Sequence, residues 1–215
     1  MKRKTELEEE KLLQSIDTLR KGDLRKLVDA RIKEFKEIDR RSSNEIFQEM
    51  CFCILTANYN AEKSIKIQDE IGDCFLKPSQ DVLSDKLKEC GHRFPNTRAD
   101  YICNSVKHKD SLTDVINSYK GEELREWLVK NIKGFGYKEA SHFLRNIGFD
   151  DFAIIDFHII DVLVDYNLIE RPKTLTKRKY LEIENTLREM SKQTNLTLAE
   201  LDLYLWYIET GKILK

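Results

Sequence analysis

The stretch Leu128–Gly148, LVKNIKGFGYKEASHFLRNIG, decides how this chain is read. It holds three of the chain's eight glycines. Gly134 and Gly136 bracket Phe135 between two amphipathic helical segments. A glycine turn there can take dihedrals closed to other residues and can present backbone N–H groups at the start of the second helix. Such groups are suited to an anion. An ordinary helical hairpin would use the same glycines simply to turn, and G-x-G by itself does not separate the two.

Outward from the hairpin, the chain reads as helix nearly throughout. Only three prolines punctuate 215 residues, and apolar residues recur three or four apart, the helical period. Leu24, Leu27, Val28, Ile32, Phe35 and Ile38 form one expected inward face. Ile46, Phe47, Met50, Cys51, Ile54 and Leu55 form the next, after a Ser42-Ser43-Asn44 cap signal. Further helices are expected at 79–90, 96–107, 113–119, 122–131, 176–192 and 197–209. The apolar run Phe152–Ile155 could pass for a buried strand. No other segment offers a partner strand, so it reads as an irregular approach to a helix capped by Asp156. The fold class is all-α.

Composition narrows the function classes. Lys and Arg total 37 against 38 Asp and Glu, so the net charge of −1 gives no global attraction to nucleic acid, and any such binding must come from local geometry. The charged opening MKRKTELEEE is no secretory signal, and nothing approaches the roughly 20 apolar residues of a membrane span, so a cytoplasmic protein without membrane contact is expected. Five cysteines, Cys51, Cys53, Cys74, Cys90 and Cys103, include no C-x-x-C pair and read as reduced thiols, mostly in the core. No set of His, Cys and carboxylates has metal-ligand spacing.

Lys138 and Asp156 lie eighteen positions apart. Lys138 falls in the first turn of the hairpin's second helix, where the positive end of the helix dipole and partial burial both work against an ammonium. A neutral amine is a nucleophile. Asp156, at the next helix start in an apolar setting, is placed to stabilise developing positive charge or to move protons. Taken singly, the two also fit a surface lysine and an N-cap aspartate.

Together these residues carry a resemblance. KGFGYKEA from Lys133, followed by Ile154-Ile-Asp-Phe-His158, resembles the helix-hairpin-helix and aspartate signature of the endonuclease III superfamily of DNA glycosylases. Endonuclease III itself carries four C-terminal cysteines for an iron-sulfur cluster, whereas no cysteine here lies beyond Cys103. CFCILTAN from Cys51, GHRF from Gly91, the hairpin and the ending LYLWYIETGKILK from Leu203 are similar to the second, archaeal and bacterial class of 8-oxoguanine DNA glycosylases. One departure stands out: the proline expected before the aspartate is replaced by Phe149-Asp-Asp-Phe-Ala153.

The resemblance implies two helical lobes. One, at 41–150, holds the hairpin at about 122–147, and the other joins 1–40 to 151–215, with the active site in the cleft between them. It implies a bifunctional glycosylase and AP lyase acting on double-stranded DNA that contains 8-oxoguanine. Lys138 is the expected nucleophile and Schiff-base former, and Asp156 the stabiliser of the oxocarbenium-like transition state. Phe94 and Trp206 are expected to sandwich the flipped base, with the carboxylate of the terminal Lys215 on its Watson–Crick edge. Asn58 is expected to fill the gap the base leaves; Gly134, Gly136 and His142 are the remaining expected DNA contacts. No cofactor or metal is needed, since the lysine does the covalent work, and a monomer is the default. Two other readings share the hairpin: a glycosylase for oxidised pyrimidines, and a noncatalytic DNA clamp that would require neither Lys138 nor Asp156.

Overall fold

A computed structural model of the chain describes residues 2–37 and 42–215. Twelve α-helices and no strand occur among the described residues. The chain divides into two units: a terminal unit, Met1–Lys36 with Gly148–Lys215, and a central unit, Glu37–Ile147. The expected lobe boundary at 40/41 and the helix-face position Ile38 lie outside the described residues.

The central unit is built on α3, Ser43–Thr56. Ser42 caps it, its hydroxyl accepting from the Glu45 N–H while the Glu45 carboxylate accepts from the Ser42 N–H. Ile46, Phe47, Met50, Cys51, Ile54 and Leu55 are all buried, and so are Phe52 and Cys53 on the other face. A helix apolar on nearly every side has to be surrounded. It packs against α4 (Ala61–Ile71), α6 (Pro95–Ser105), α7 (Leu112–Ser118) and α9 (Tyr137–Asn146). The short α5, Gln80–Glu89, packs on α6, and α8, Glu122–Asn131, packs on α9 to complete the hairpin.

The terminal unit joins both chain ends. α12, Leu198–Thr210, lies at its centre against α2 (Leu24–Lys36), α10 (Phe157–Asp165) and α11 (Lys177–Thr194), with α1, Lys2–Arg20, packed on α2, α11 and α12. Leu12 and Ile16 are fully buried, and the Arg20 guanidinium donates to the Thr194 carbonyl at 2.6 Å, tying α1 to the end of α11. On α2 the burial corrects the expected face: Val28 and Phe35 are buried, Leu24 and Ile32 are half-buried, and Leu27 is 59% exposed. Positions 28 and 35 are two turns apart and set the buried stripe, and Leu27 points about 100° away from it.

Residues 152–156 form neither helix nor strand. Phe152, Ala153, Ile154 and Ile155 are buried, which obliges their backbone groups to find partners. α11 supplies them. The Tyr180 hydroxyl donates to the Ala153 carbonyl at 2.6 Å and accepts from the Ile155 N–H at 3.2 Å, and the Glu184 carboxylate accepts from the Ala153 N–H at 3.0 Å. Side chains from α11 thus satisfy the backbone of the segment that lacks the expected proline.

The cysteines are free thiols, but only Cys51 and Cys53 are buried; Cys74, Cys90 and Cys103 are half-buried, so the expectation of mostly core thiols is corrected. Those two lie on the enclosed α3, the other three on helices or turns with a solvent side. Among the described residues, no helix is long and apolar enough to cross a membrane, and no three His, Cys, Asp or Glu side chains group as a metal site would need.

Candidate active site

The hairpin turn is a tight one. The Phe135 N–H donates to the Ile132 carbonyl at 3.1 Å, and Gly134 sits within that turn at φ +90°. A Cβ at Gly134 would lie 2.2 Å from the Tyr101 ring, so both the dihedral and the space require glycine. Gly136 is different: its φ of −102° and ψ of −168° are open to any residue, which corrects the reading that both glycines take forbidden dihedrals. Its N–H donates to Glu139 Oε2 at 3.1 Å, closing the first turn of α9. Phe135, between them, is buried with its ring 6.1 Å from that of Phe143.

Polar side chains lock the two hairpin helices. Arg125 of α8 is fully buried, donates to both Glu122 oxygens at 2.7 and 2.8 Å, and reaches Ser141 Oγ of α9 at 3.1 Å. A buried guanidinium is tolerated when its charge is matched in this way. The Tyr137 hydroxyl donates to Glu126 of α8, and the Arg125 guanidinium lies 5.0 Å from the Tyr137 ring centre. Lys138 follows directly. Its side chain is 21% exposed, with Nζ 3.8 Å from Glu139 Oε1, an ion-pair partner that sequence spacing gave no reason to expect. His142, one turn on, is buried edge-on to Phe52 with ring centres 5.6 Å apart.

Asn58 and Phe94 are brought together by two residues that the sequence reading did not single out. Asn58 is exposed in the left-handed region, φ +54°, just past α3. The buried His92 ring bonds the Leu55 carbonyl through Nε2 at 3.1 Å and accepts from the Phe94 N–H through Nδ1 at 3.0 Å. That pattern sets the neutral tautomer with hydrogen on Nε2. Burial, the dominant effect, pushes the His92 imidazole below its ordinary value. The buried Arg98 donates to the Ala57 carbonyl, and its guanidinium lies 5.4 Å from the centre of the half-buried Phe94 ring, with Arg93 at 5.0 Å. Burial likewise lowers the Arg98 guanidinium below its usual range.

In the terminal unit, Asp156 caps α10, its Oδ1 accepting from the Ile159 N–H at 3.0 Å. The next two residues carry rings: Phe157, 63% exposed, lies 3.9 Å from the His158 ring, which stands edge-on to Trp206 at 4.5 Å. His158 Nδ1 is 3.9 Å from Glu209. Trp206 is half-buried near the end of α12, and Lys215, the last residue, is half-buried beyond it. The start of α10 therefore meets Trp206 of α12 through the His158 ring. The signal for this pair of rings was present in Ile154-Ile-Asp-Phe-His158, which the sequence reading used only as part of the resemblance and without a role for either ring.

An all-helical chain in which a glycine turn opens onto a lysine in the first turn of the next helix is a helix-hairpin-helix protein. Residues 28–196 match the family model described as 8-oxoguanine DNA glycosylase, and the chain belongs to that family. It is 52% identical to the 8-oxoguanine DNA glycosylase/AP lyase of Methanocaldococcus jannaschii over 95% of this chain and 99% of that protein. It is 48% identical to the protein of that name from Korarchaeum cryptofilum, over 95% and 98%. Among solved structures, the M. jannaschii glycosylase/lyase in complex with a 15mer DNA containing 8-oxoguanine superposes with a TM-score of 0.92 at 52% identity, covering 95% of this chain and 99% of that one. The Thermotoga maritima 8-oxoguanine DNA glycosylase superposes at 0.91 with 39% identity, over 96% and 100%.

Proposed function

We propose that this protein excises 8-oxoguanine from double-stranded DNA in base-excision repair and then cleaves the strand as an AP lyase. The observation that carries the reading is Lys138: a primary amine held in the first turn of α9, directly behind a turn that only glycine can make. The family membership supplies the substrate class.

The glycosidic carbon of a stacked base is out of reach, so the damaged nucleotide must leave the duplex. In the proposed mechanism the Lys138 amine attacks C1′, and the C1′–N9 bond breaks with its electrons going to the departing base, which takes up a proton. The Asp156 carboxylate stabilises the positive charge that develops on the sugar. The amine loses its proton, the sugar ring opens, and a cationic Schiff base links Nζ to C1′. Loss of a C2′ proton then expels the 3′ phosphate by β-elimination. Phe94 and Trp206 are proposed to stack on the base, the Lys215 carboxylate to accept from its Watson–Crick edge, and Asn58 to enter the vacated stack. Gly134 and Gly136 are proposed to approach the DNA backbone. His142, buried against Phe52, fits support of the helix better than direct contact with DNA. The proposed working form is a monomer, at the nucleoid in a prokaryotic cytoplasm.

Borohydride trapping tests this. The native chain should form a covalent adduct with a duplex carrying one 8-oxoguanine opposite cytosine, and Lys138→Gln should form none. Trapping only with a thymine-glycol duplex would keep the lysine chemistry and overturn the substrate. Binding without trapping on either duplex would leave a noncatalytic clamp.

A further inference from the structure

A helix leaves its last carbonyls without partners of its own, and α3 ends at Thr56. Three consecutive carbonyls there are claimed from outside the helix. Leu55 accepts from His92 Nε2 at 3.1 Å, Thr56 from the Tyr59 N–H at 3.2 Å, and Ala57 from the Arg98 guanidinium. Asn58 follows at once, exposed and left-handed, on a backbone fixed on both sides.

The same two residues, His92 and Arg98, also fix Phe94. His92 Nδ1 accepts from the Phe94 N–H at 3.0 Å, and the Phe94 carbonyl accepts from the Arg98 N–H at 3.0 Å, with the Arg98 guanidinium 5.4 Å from the ring centre. Phe94 is thereby held at φ −130° and ψ 59°, neither helical nor extended, directly before Pro95 opens α6. A further link runs beside these. The Tyr59 hydroxyl donates to the Gly91 carbonyl at 3.0 Å, and its ring centre lies 4.2 Å from that of His92 with the planes 34° apart. His92 and Arg98 are both buried, where their hydrogen bonds meet little competition from water. A neutral imidazole can bridge the two segments because it offers a donor and an acceptor on different edges of one rigid ring.

We propose that His92 is a positioning residue that joins the end of α3 to the start of α6, so that Asn58 enters the vacated stack and Phe94 closes on the extruded base in one step. The proposal rests on the roles proposed above for Asn58 and Phe94. Two groups carried by one body act together, so losing either forfeits much of what the other contributes, and their losses do not multiply. With the His92 bridge cut, each group acts by itself and the losses multiply. A side chain that only filled space would change stability and leave the relation between Asn58 and Phe94 untouched.

The test is a double-mutant cycle read on base extrusion. A fluorescent aminopurine beside 8-oxoguanine in the duplex brightens when its neighbour leaves the stack. The rate of that rise, under saturating protein, is measured for the native chain, Asn58→Ala, Phe94→Ala and the double variant. The double variant should be about tenfold faster than the product of the two single losses requires. The cycle is then repeated in two His92 backgrounds. His92→Asn keeps an acceptor for the Phe94 N–H and gives up Leu55, and His92→Gln keeps a donor for Leu55 and gives up Phe94. In either background the losses should multiply to within about twofold. Losses that already multiply in the native chain, or an excess that persists in both backgrounds, overturn the proposal. Thermal melting and binding to an abasic-analogue duplex establish that each variant is folded and engages DNA. If neither His92 variant folds, Tyr59→Phe decides, since it keeps the ring and removes the bond to Gly91: the excess must fall there, and an unchanged excess overturns the proposal. A native chain that binds the duplex without any rise refutes extrusion of 8-oxoguanine itself, and this proposal with it, a failure distinct from a normal rise that His92 does not affect.

Discussion

Gly134→Ala perturbs the molecule at a single methyl group, and its cost can be worked from two independent terms. At φ +90° an alanine is strained by roughly 1–2 kcal/mol, the penalty of a left-handed conformation for a residue with a Cβ. The new Cβ would also lie 2.2 and 2.7 Å from two carbons of the Tyr101 ring, so the ring must swing away from Lys133 and Arg98. Overpacking of that kind costs about 1–3 kcal/mol. The sum is centred on about 3.5 kcal/mol, which in a chain of this size lowers the melting temperature by roughly 7–14 °C. Gly136→Ala is the control two residues away. Its dihedrals suit alanine, and its Cβ would meet only Glu139 Oε2, the far end of a long side chain, at 3.2 Å. That variant should melt within about 3 °C of the native chain. Calorimetry on both, with Gly134→Ala repeated in a Tyr101→Ala background, separates the terms: there the substitution should cost only the dihedral part, roughly 1–2 kcal/mol. Equal melting temperatures for Gly134→Ala and the native chain would refute the reasoning, as would equal losses at both glycines.

Two further expectations follow from the same geometry. Asp156 both caps α10 and is proposed to carry catalytic charge. Asparagine caps as well as aspartate, so Asp156→Asn should leave the melting temperature unchanged yet lower excision by about 100-fold or more, whereas Asp156→Ala should lose activity and also roughly 1 kcal/mol of stability; a melt of Asp156→Asn as low as that of the alanine variant would contradict this. His92 is neutral in the fold, with its proton affinity lowered by burial, while in the unfolded chain it protonates near the ordinary value of about 6.5. The unfolded state then binds more protons below that pH, so stability is full above about 6.5 and falls as the pH drops toward the folded value. Urea titrations at pH 7 and pH 5 should show a smaller acid loss in His92→Gln than in the native chain, and an equal loss would exclude His92 as the source.

Much of this molecule was legible in one dimension because its elements announce themselves locally. The 122–131 helix was read to the residue, and Ser42, Asp156, Thr176 and Thr197 cap helices through their side chains as short polar residues before apolar periods do. Lys138 followed from the hairpin, since a glycine turn and an amphipathic period fix which residue opens the next helix. Phase was harder: Leu27 reads as apolar and in period, yet it is exposed, because only the partners of α2 determine where the buried stripe falls.

What the sequence by itself determined is the all-helical class, the hairpin and the lysine that opens its second helix, all of which depend on residues within a few turns of one another. Only the tertiary structure decided what the side chains beside these local elements meet. Tyr101 makes Gly134 obligatory from thirty-three positions away, Arg98 of α6 donates to the carbonyl of Ala57 just past α3, and Tyr180 and Glu184 of α11 satisfy the backbone of the segment before Asp156. These are contacts between side chains far apart in the chain. No period or spacing encodes them, because a helix fixes the direction of its own side chains and leaves the choice of what they meet to packing.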